Sequence, residues 1–429
     1  MLAHTHYLRD PRVRRQAEAL ADAGMDVHVI SLAEPDRAGK PGARHAIVNG
    51  VHLHRLPLKK KRGSALRYVF EYLATGFLGG LTLTLLHLRA RFDVVHVHNM
   101  PDILVAAALI PRLTGSRIVL DVHDPMPELF MQNSASNQVV VGALRLQERL
   151  SHALADRVLS VNESMRENLR GKGVADDRIC IVNNLPDQRL FPLAEPPTSW
   201  PHRKDSLTLL YCGTVTQHYD LGLAVKAIAR LAGKVPVKLR ILGDGSRLGE
   251  VLSLAAALGV SESVEHVGLV PIEQVPAAMR LADAGISCHR PGAFGDLYFS
   301  TKIVEYLTQG LPVLSPRTRT ICKYLPDDCM FYFEPGNDAA LADCLTLMWR
   351  NPSEVSQRVR RARELLPALS WQAEKQRFVA FYDELIGDGS HRLTRRPAAP
   401  VVVHHDGGPL PVRPSSMTVD EPKTAAELT

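Results

Sequence analysis

Lys302 and Glu305, in the stretch FSTKIVEYLTQGLPV (residues 299 to 313), set a cation and a carboxylate three residues apart, roughly one helical turn. Ile303, Val304 and Leu307 form an apolar stripe at helical spacing, Ser300 is a candidate N-cap, and Gly310 with Pro312 ends the helix. That register puts Lys302 at the second helical position, where free N–H groups and the helix dipole already concentrate positive charge. An anion held at the helix start reverses the penalty, and Glu305 then shares the same cleft. The bland alternative is an exposed ion pair worth at most about 1 kcal/mol. Histidines supply the other candidate chemistry. His4 and His6, and His96 and His98, stand two apart at strand ends, a spacing that suits a metal site but also suits ordinary satisfied histidines. His123, in LDVHD, follows a strand, where a neutral imidazole either hydrogen-bonds a ligand hydroxyl or merely caps the strand. Gly243, Asp244 and Gly245 make a tight turn after a strand. The next glycine is Gly249, so this is not a dinucleotide fingerprint.

The elements that position these residues alternate. MLAHTH, DVHVISL, FDVVHVH, SRIVLDVHD, DRVLSVN and RICIVNN read as strands, separated by helical patterns such as DPRVRRQAEALADAG, PDILVAAALIPRLTG and those near 140–154 and 163–171. A proline-rich stretch interrupts them at 186–205, and the alternation resumes through LTLLYCG, VKLRILGDG, VEHVGLV, AGISCHR and PVLSP. The expectation is an α/β chain of two doubly wound, Rossmann-like domains, 1–185 and 206–371, facing a cleft. The pattern at about 372–387 suits a last helix packed back on the first domain, and 388–429 reads as a disordered tail. A chain of 429 residues is long enough for two cores, and 45% hydrophobic with 22% charged residues is ordinary for a globular protein. The net charge of +6 lies partly in clusters, RVRR (12 to 15) and LKKKRG (58 to 63), which points to a local acidic surface and away from nucleic acid.

Six dispersed cysteines without a CxxC pair, and no cleavable signal, fit a reduced cytoplasmic setting. Strand-like residues begin at Met1 itself, so the first strand reads as short by a few residues at its start. Residues 58 to 90 join the basic cluster to an apolar run in which Tyr72 to Leu88 carries no charged side chain. With Gly76, Gly79 and Gly80 inside, the run is marginal for a bilayer span. It reads equally as a peripheral contact with the inner face of the cell membrane or as a buried domain helix.

Taken in order, DPRVRRQAEAL, FDVVHVHNMPD, LDVHDPMPE, ADRVLSVNESM, IVNNLPD, YCGTVTQHYDLGLAVKAI, LRILGDGSRLGE, VGLVP, STKIVEYLTQGLPV, FEPGND and SWQ resemble the retaining glycosyltransferases of the GT-B fold, family 4, over about Met1 to Gly387. The resemblance implies transfer of a sugar from a nucleotide-diphosphate donor, held mainly by the C-terminal domain, to a lipid-linked or polysaccharide acceptor lying mainly on the N-terminal one. It implies that Glu305 accepts from the ribose hydroxyls, that Lys302 lies near the diphosphate, and that His123 lies near the donor sugar and reacting centre. Gly213, Thr214, His218, Gly243, Gly245, Arg290 and Asp296 become the remaining donor-binding candidates, and His4, His98 and Asp124 the acceptor-side ones. No metal or other cofactor is expected.

The pattern also departs from the family. Leu297 stands eight before Glu305, where many members carry an acid that contacts the donor sugar, with Asp296 adjacent as a substitute. Thr214 and Tyr219, with His218 beside them, stand where many carry Arg and Lys for the diphosphate, and AHTHYLRDPR lacks the usual glycine-rich loop. Without a carboxylate pair, the resemblance implies front-side displacement, in which the departing β-phosphate takes the acceptor proton. The rival expectations are a metal-dependent hydrolase built on the HxH pairs, a catalytically impaired sugar-nucleotide-binding or scaffold protein, and a sugar-nucleotide epimerase on the same fold.

Overall fold

Asp10 starts the first helix. Its carboxylate accepts from the N–H groups of Arg12 and Val13 at 3.1 and 3.2 Å, and Pro11 occupies the first helical position, where no N–H is needed. The helix runs Pro11–Asp22 and buries Val13, Ala17 and Leu20 beneath the first sheet. The computed structural model describes residues 1–33, 42–58, 65–132, 137–195, 200 and 205–387. The basic residues 59–64, most of 196–204 and the tail from 388 lie outside them, and with them the expected basic membrane contact and the expected disordered tail.

In the first domain, β1 (Val27–Leu32) pairs in parallel with β3 (Val51–Leu56), which pairs antiparallel with β2 (His45–Val48). β4 (Val94–His98), β5 (Arg117–Val122), β6 (Arg157–Ser160) and β7 (Ile179–Ile181) form a parallel run. The strand expected over MLAHTH shortens to a bridge at Leu2, because the chain must turn through Tyr7–Arg9 into the first helix. That bridge joins β1 to β4: Leu2 N donates to the His96 carbonyl at 2.8 Å and Ala3 N to that of Ile30 at 3.0 Å. The expected helix in PDILVAAALIPRLTG is mostly a 3-10 turn, Asp102–Ala108, with only Leu109–Leu113 α-helical. Pro111, which lacks an N–H, disfavours a longer α-helix here.

The second domain is wholly parallel, with β8 (Leu207–Cys212), β9 (Val237–Leu242), β10 (Val264–Gly268), β11 (Ala284–Ile286), β12 (Val313–Pro316) and β13 (Phe331–Phe333) in the order β10-β9-β8-β11-β12-β13. Connections diverge between β8 and β11, and in the first domain between the Leu2 bridge and β4. Such crossing points open a crevice at the carboxyl ends of the strands. The helix Trp371–Gly387 contributes Trp371, Phe378, Tyr382 and Leu385 to the apolar cluster that also holds Val13, Val29 and Val119 of the first domain.

The helix Ala65–Ala90 is two-faced. Glu71, Thr75, Leu83 and His87, at four-residue spacing, are buried. On the opposite face Phe70 and Phe77 are 69% and 73% exposed, with Leu73, Leu81, Leu85 and Leu88 exposed beside them. Its glycines serve packing. A Cβ at Gly79 would meet Leu2 at 2.9 Å, and one at Gly80 would meet Ala107 at 3.3 Å. The segment is therefore neither fully buried nor free of the domain.

Candidate active site

The crossing point of the second sheet holds Lys302 and Glu305. The helix Thr301–Thr308 ends at Gln309, and Gly310 takes a left-handed φ of 76°. Ser300 sits at the N-cap position, but its hydroxyl makes no cap hydrogen bond and is buried without a partner among the described residues. The first N–H groups of the helix thus have no side-chain cap. Lys302 extends from this end over Gly213. It donates to the Tyr219 hydroxyl at 3.2 Å, and its Nζ lies 4.3 Å from the Tyr219 ring centroid and 5.8 Å from that of Tyr211. A side chain at Gly213, whose φ is 136°, would overlap Lys302.

Glu305 is partly buried on the same helix. Burial pushes its carboxyl up to about 7, against the pull of Lys302 and of Arg15 from the first domain. Arg15 is itself buried over the Trp371 ring, at 4.7 Å, and donates to the Leu185 carbonyl and the Asn184 side chain. Burial, more than the neighbouring Lys302, pushes His289 down to about 4. The glycines of the 243–245 turn meet backbone. A Cβ at Gly243, with φ at 151°, would collide with the Gly213 carbonyl, and one at Gly245 with that of Val215, while Val215 N donates to the Asp244 carbonyl at 3.0 Å. The turn shapes the crevice by holding the 213–215 loop down.

The crossing point of the first sheet opens into a cavity of roughly 370 Å³, whose lining includes His4, His98, His123, Asp124, Arg12 and Asn184. Behind it lies a buried network centred on Asp121 Oδ2. His123 Nε2 lies 2.8 Å away, Gln16 donates at 3.1 Å, and His96 and His98 approach at 3.4 Å each. The His96 and His98 rings stack at 4.1 Å, and the Tyr382 hydroxyl lies 2.6 Å from His96 Nδ1. Burial pushes the Asp121 carboxyl upward, but His123 and the hydrogen bonds from the three histidines outweigh it and hold it well below the ordinary range. Burial above all pushes His98 down to about 3, so His98 is neutral. The contact through Nε2 leaves His123 Nδ1 for a ligand, and the His123 backbone N–H donates to Asn99 Oδ1 at 2.8 Å.

The three acceptor-side candidates, His4, His98 and Asp124, therefore line one cavity with His123. Their roles differ, however. The carboxylate that touches His123 is Asp121; Asp124 is half-buried, its carbonyl accepts from Asn99, and it acts electrostatically on His218 and Tyr219 across the cleft. His4 Nδ1 is engaged by Thr75 at 2.8 Å. His96 and His98, with Asp121, come close enough to form a metal-ligand group, yet Asp121 Oδ2 also takes the contacts from His123 and Gln16.

On the donor side the candidates are spread more widely. His218 Nδ1 lies 2.7 Å from Gln132 Oε1 of the first domain, bridging the two sides. Arg290 is exposed and tied to His218 only through its backbone N–H, at 2.9 Å; Thr214 and Asp296 are also exposed. Leu297 is taken up by a contact between the domains. It packs against the first domain's core, and its carbonyl accepts from Asn162 Nδ2 at 2.8 Å. Sequence reasoning missed Asp121, although the D-x-H spacing on one strand puts both side chains on one face. It also missed Arg15, which carried no signal because the helix that covers it comes from the far end of the chain.

Residues 10–184 match the family described as glycosyl transferase 4-like domain, and residues 195–365 the one described as glycosyl transferases group 1. The chain is 24% identical, over 393 residues, to phosphatidyl-myo-inositol mannosyltransferase of Mycobacterium leprae, covering 88% of this chain and 93% of that one. Sucrose-phosphate synthase from Thermosynechococcus elongatus superposes with a TM-score of 0.71 at 16% identity, over 90% of this chain and 99% of the other. Anabaena HepE, solved in complex with UDP, superposes with a TM-score of 0.64 at 12% identity, over 89% and 99%.

Proposed function

The chain belongs to the GT-B glycosyltransferases, and on that footing we propose that it moves a sugar, with retention at the anomeric carbon, from a nucleotide-diphosphate donor to a lipid-linked or polysaccharide acceptor in cell-surface glycan synthesis. The observation that carries the donor half is Lys302 at an uncapped helix start, with Glu305 one turn on. The diphosphate takes the free N–H groups and the ammonium, and the Glu305 carboxylate accepts from both ribose hydroxyls. HepE's complex with UDP supports such a donor.

The reaction follows from where charge develops. The bond from the anomeric carbon to the β-phosphate oxygen breaks while the acceptor oxygen bonds to that carbon from the same face. The acceptor proton passes to the departing phosphate oxygen, so the main requirement is a cation at the leaving group, which Lys302 supplies without a metal. His123, fixed by Asp121, offers a hydrogen bond to a sugar hydroxyl. The test is a thermal-shift screen with UDP-, GDP- and ADP-sugars on wild type and Glu305→Ala. Stabilisation of wild type alone supports the donor site; no shift with any of them sinks it. Turnover with an acceptor panel then separates a transferase from a protein that only binds, and a changed donor sugar without acceptor identifies an epimerase.

The acceptor half rests on the helix Ala65–Ala90. Arg67–Ala90 is long and apolar enough to cross a membrane, yet one face is built into the domain, so its exposed Phe70, Leu73 and Phe77 face suits insertion along a bilayer surface. The mannosyltransferase from Mycobacterium leprae is named for a phospholipid acceptor, which supports the same reading. Flotation with anionic vesicles should carry wild type upward and leave a Phe70→Ser, Phe77→Ser variant behind. Equal flotation of both removes the argument.

A further inference from the structure

At the amino end of β1, away from the cleft, four histidines and an aspartate gather on one face of the sheet edge. His28 of β1 stands opposite His52 of β3, Ile30 opposite His54, and His45 of β2 opposite His54. The His28 and His52 rings stack at 4.6 Å, and the His28 and His54 rings at 5.2 Å. Asp26, just before the strand, brings Oδ1 to 3.4 Å from His28 Nε2 and 3.6 Å from His52 Nε2. A tetrahedral ion with ligands at about 2.0–2.1 Å needs them about 3.3 Å apart, so the two Asp26 separations already nearly fit. The third, between the histidine nitrogens, lies within 4.8 Å and needs a small side-chain movement.

We propose that Asp26, His28 and His52 form a binding site for a late first-row divalent cation, with zinc as its reference ion. Two imidazoles and one carboxylate favour such ions over magnesium or calcium. The supporting contact is that expected of a metal-ligating histidine. His28 Nδ1 lies 3.0 Å from His54 Nε2, so with an ion on its Nε2 the His28 ring would donate from Nδ1 to His54. Asp26 is exposed while His28 and His52 are partly buried, which leaves a fourth position open to solvent. The site lies at the opposite end of β1 from Leu32, whose N–H meets Thr5 beside the acceptor cavity, roughly 13 Å along the strand. An ion here pins β1 to β3 and takes no part in sugar transfer.

The test uses the full chain, stripped of metal and titrated with Co²⁺, followed by visible absorption and displacement by Zn²⁺. One equivalent should give the d–d band of a low-coordinate site, and Zn²⁺ should bleach it. His28→Ala and His52→Gln should each weaken binding at least tenfold, and His54→Phe about tenfold by freeing the His28 ring. Asp26→Asn, on an exposed side chain, covers the case in which a histidine variant misfolds. It should lower affinity while leaving circular dichroism and transferase turnover unchanged. The proposal is overturned if no stoichiometric band forms, or if the band survives in the His28→Ala, His52→Gln double variant, which would place the ion on other histidines.

Discussion

Nucleotide-sugar binding should weaken about tenfold between pH 8 and pH 6, and Glu305 is the reason. Its carboxyl is pushed up to about 7, so only above that pH is the acceptor for the ribose diol mostly ionised. Its ionised fraction falls about tenfold over that interval, a loss of about 1.4 kcal/mol. The sign is opposite for the empty protein. A carboxyl that keeps its proton longer folded than unfolded lends stability at low pH that is lost as pH rises from about 4.5 through about 7. The contribution of Glu305 to stability thus runs opposite to its contribution to binding, and a thermal melt at each pH separates the two. The groups acting on Glu305 are Lys302 and Arg15, and its charge also acts on the Cys212 thiol; burial pushes Arg15 down to about 10 and Cys212 up to about 12, both outside the interval from pH 6 to 8. Calorimetry with the intact nucleotide-sugar avoids the terminal phosphate of a free nucleotide, which titrates near pH 6. Glu305→Gln should bind as weakly at pH 8 as wild type does at pH 6, with no slope. A wild-type affinity that changes less than twofold, or a Gln variant that keeps the slope, refutes the assignment.

Lys302→Met removes the ammonium over Gly213 and should raise the donor dissociation constant on the order of tenfold to a hundredfold, the worth of a charge-assisted hydrogen bond of about 1.5–3 kcal/mol. Competition binding with UDP and ADP measures it. Asp121→Asn leaves the His123 ring without its charged partner and should lower kcat by about tenfold or more while donor affinity is unchanged; steady-state kinetics separates the two. Gly243→Ala meets both a left-handed φ and the Gly213 carbonyl, and should cost at least about 2 kcal/mol in denaturant unfolding.

Where a segment's own residues decide its form, the sequence was readable. The helix Thr301–Thr308 carries its stripe and its Gly310 stop locally, and the strand alternation of the second domain is that of a sheet covered on both faces. Other features were decided by distant contacts. Ser300 sits where a cap belongs, yet tertiary packing buries its hydroxyl away from the helix. The β2–β3 hairpin went unread although Asn49-Gly50, with φ of 49° and 78°, is a hairpin turn signal, and the histidine cluster at the sheet edge went unread with it. Tyr382 meets His96 across 286 positions of chain, a contact no local pattern announces.

The same distinction accounts for Leu297. Beside the family pattern it looks like a missing acid in the sugar half of the donor site. In the fold it is a docking residue: an apolar side chain against the first domain's core, with its carbonyl held by Asn162. A carboxylate there would be half-buried among apolar side chains, so leucine is the residue this contact favours. On this reading His123 and Asp124, which line the cavity on the other side of the cleft, are candidates for contact with the donor sugar, and Asp124 acts on His218 and Tyr219. If so, Leu297→Glu should loosen the contact between the domains without improving turnover, whereas Asp124→Ala should impair discrimination among donor sugars that share one nucleotide. A gain of activity in Leu297→Glu would mean that the position faces the donor after all.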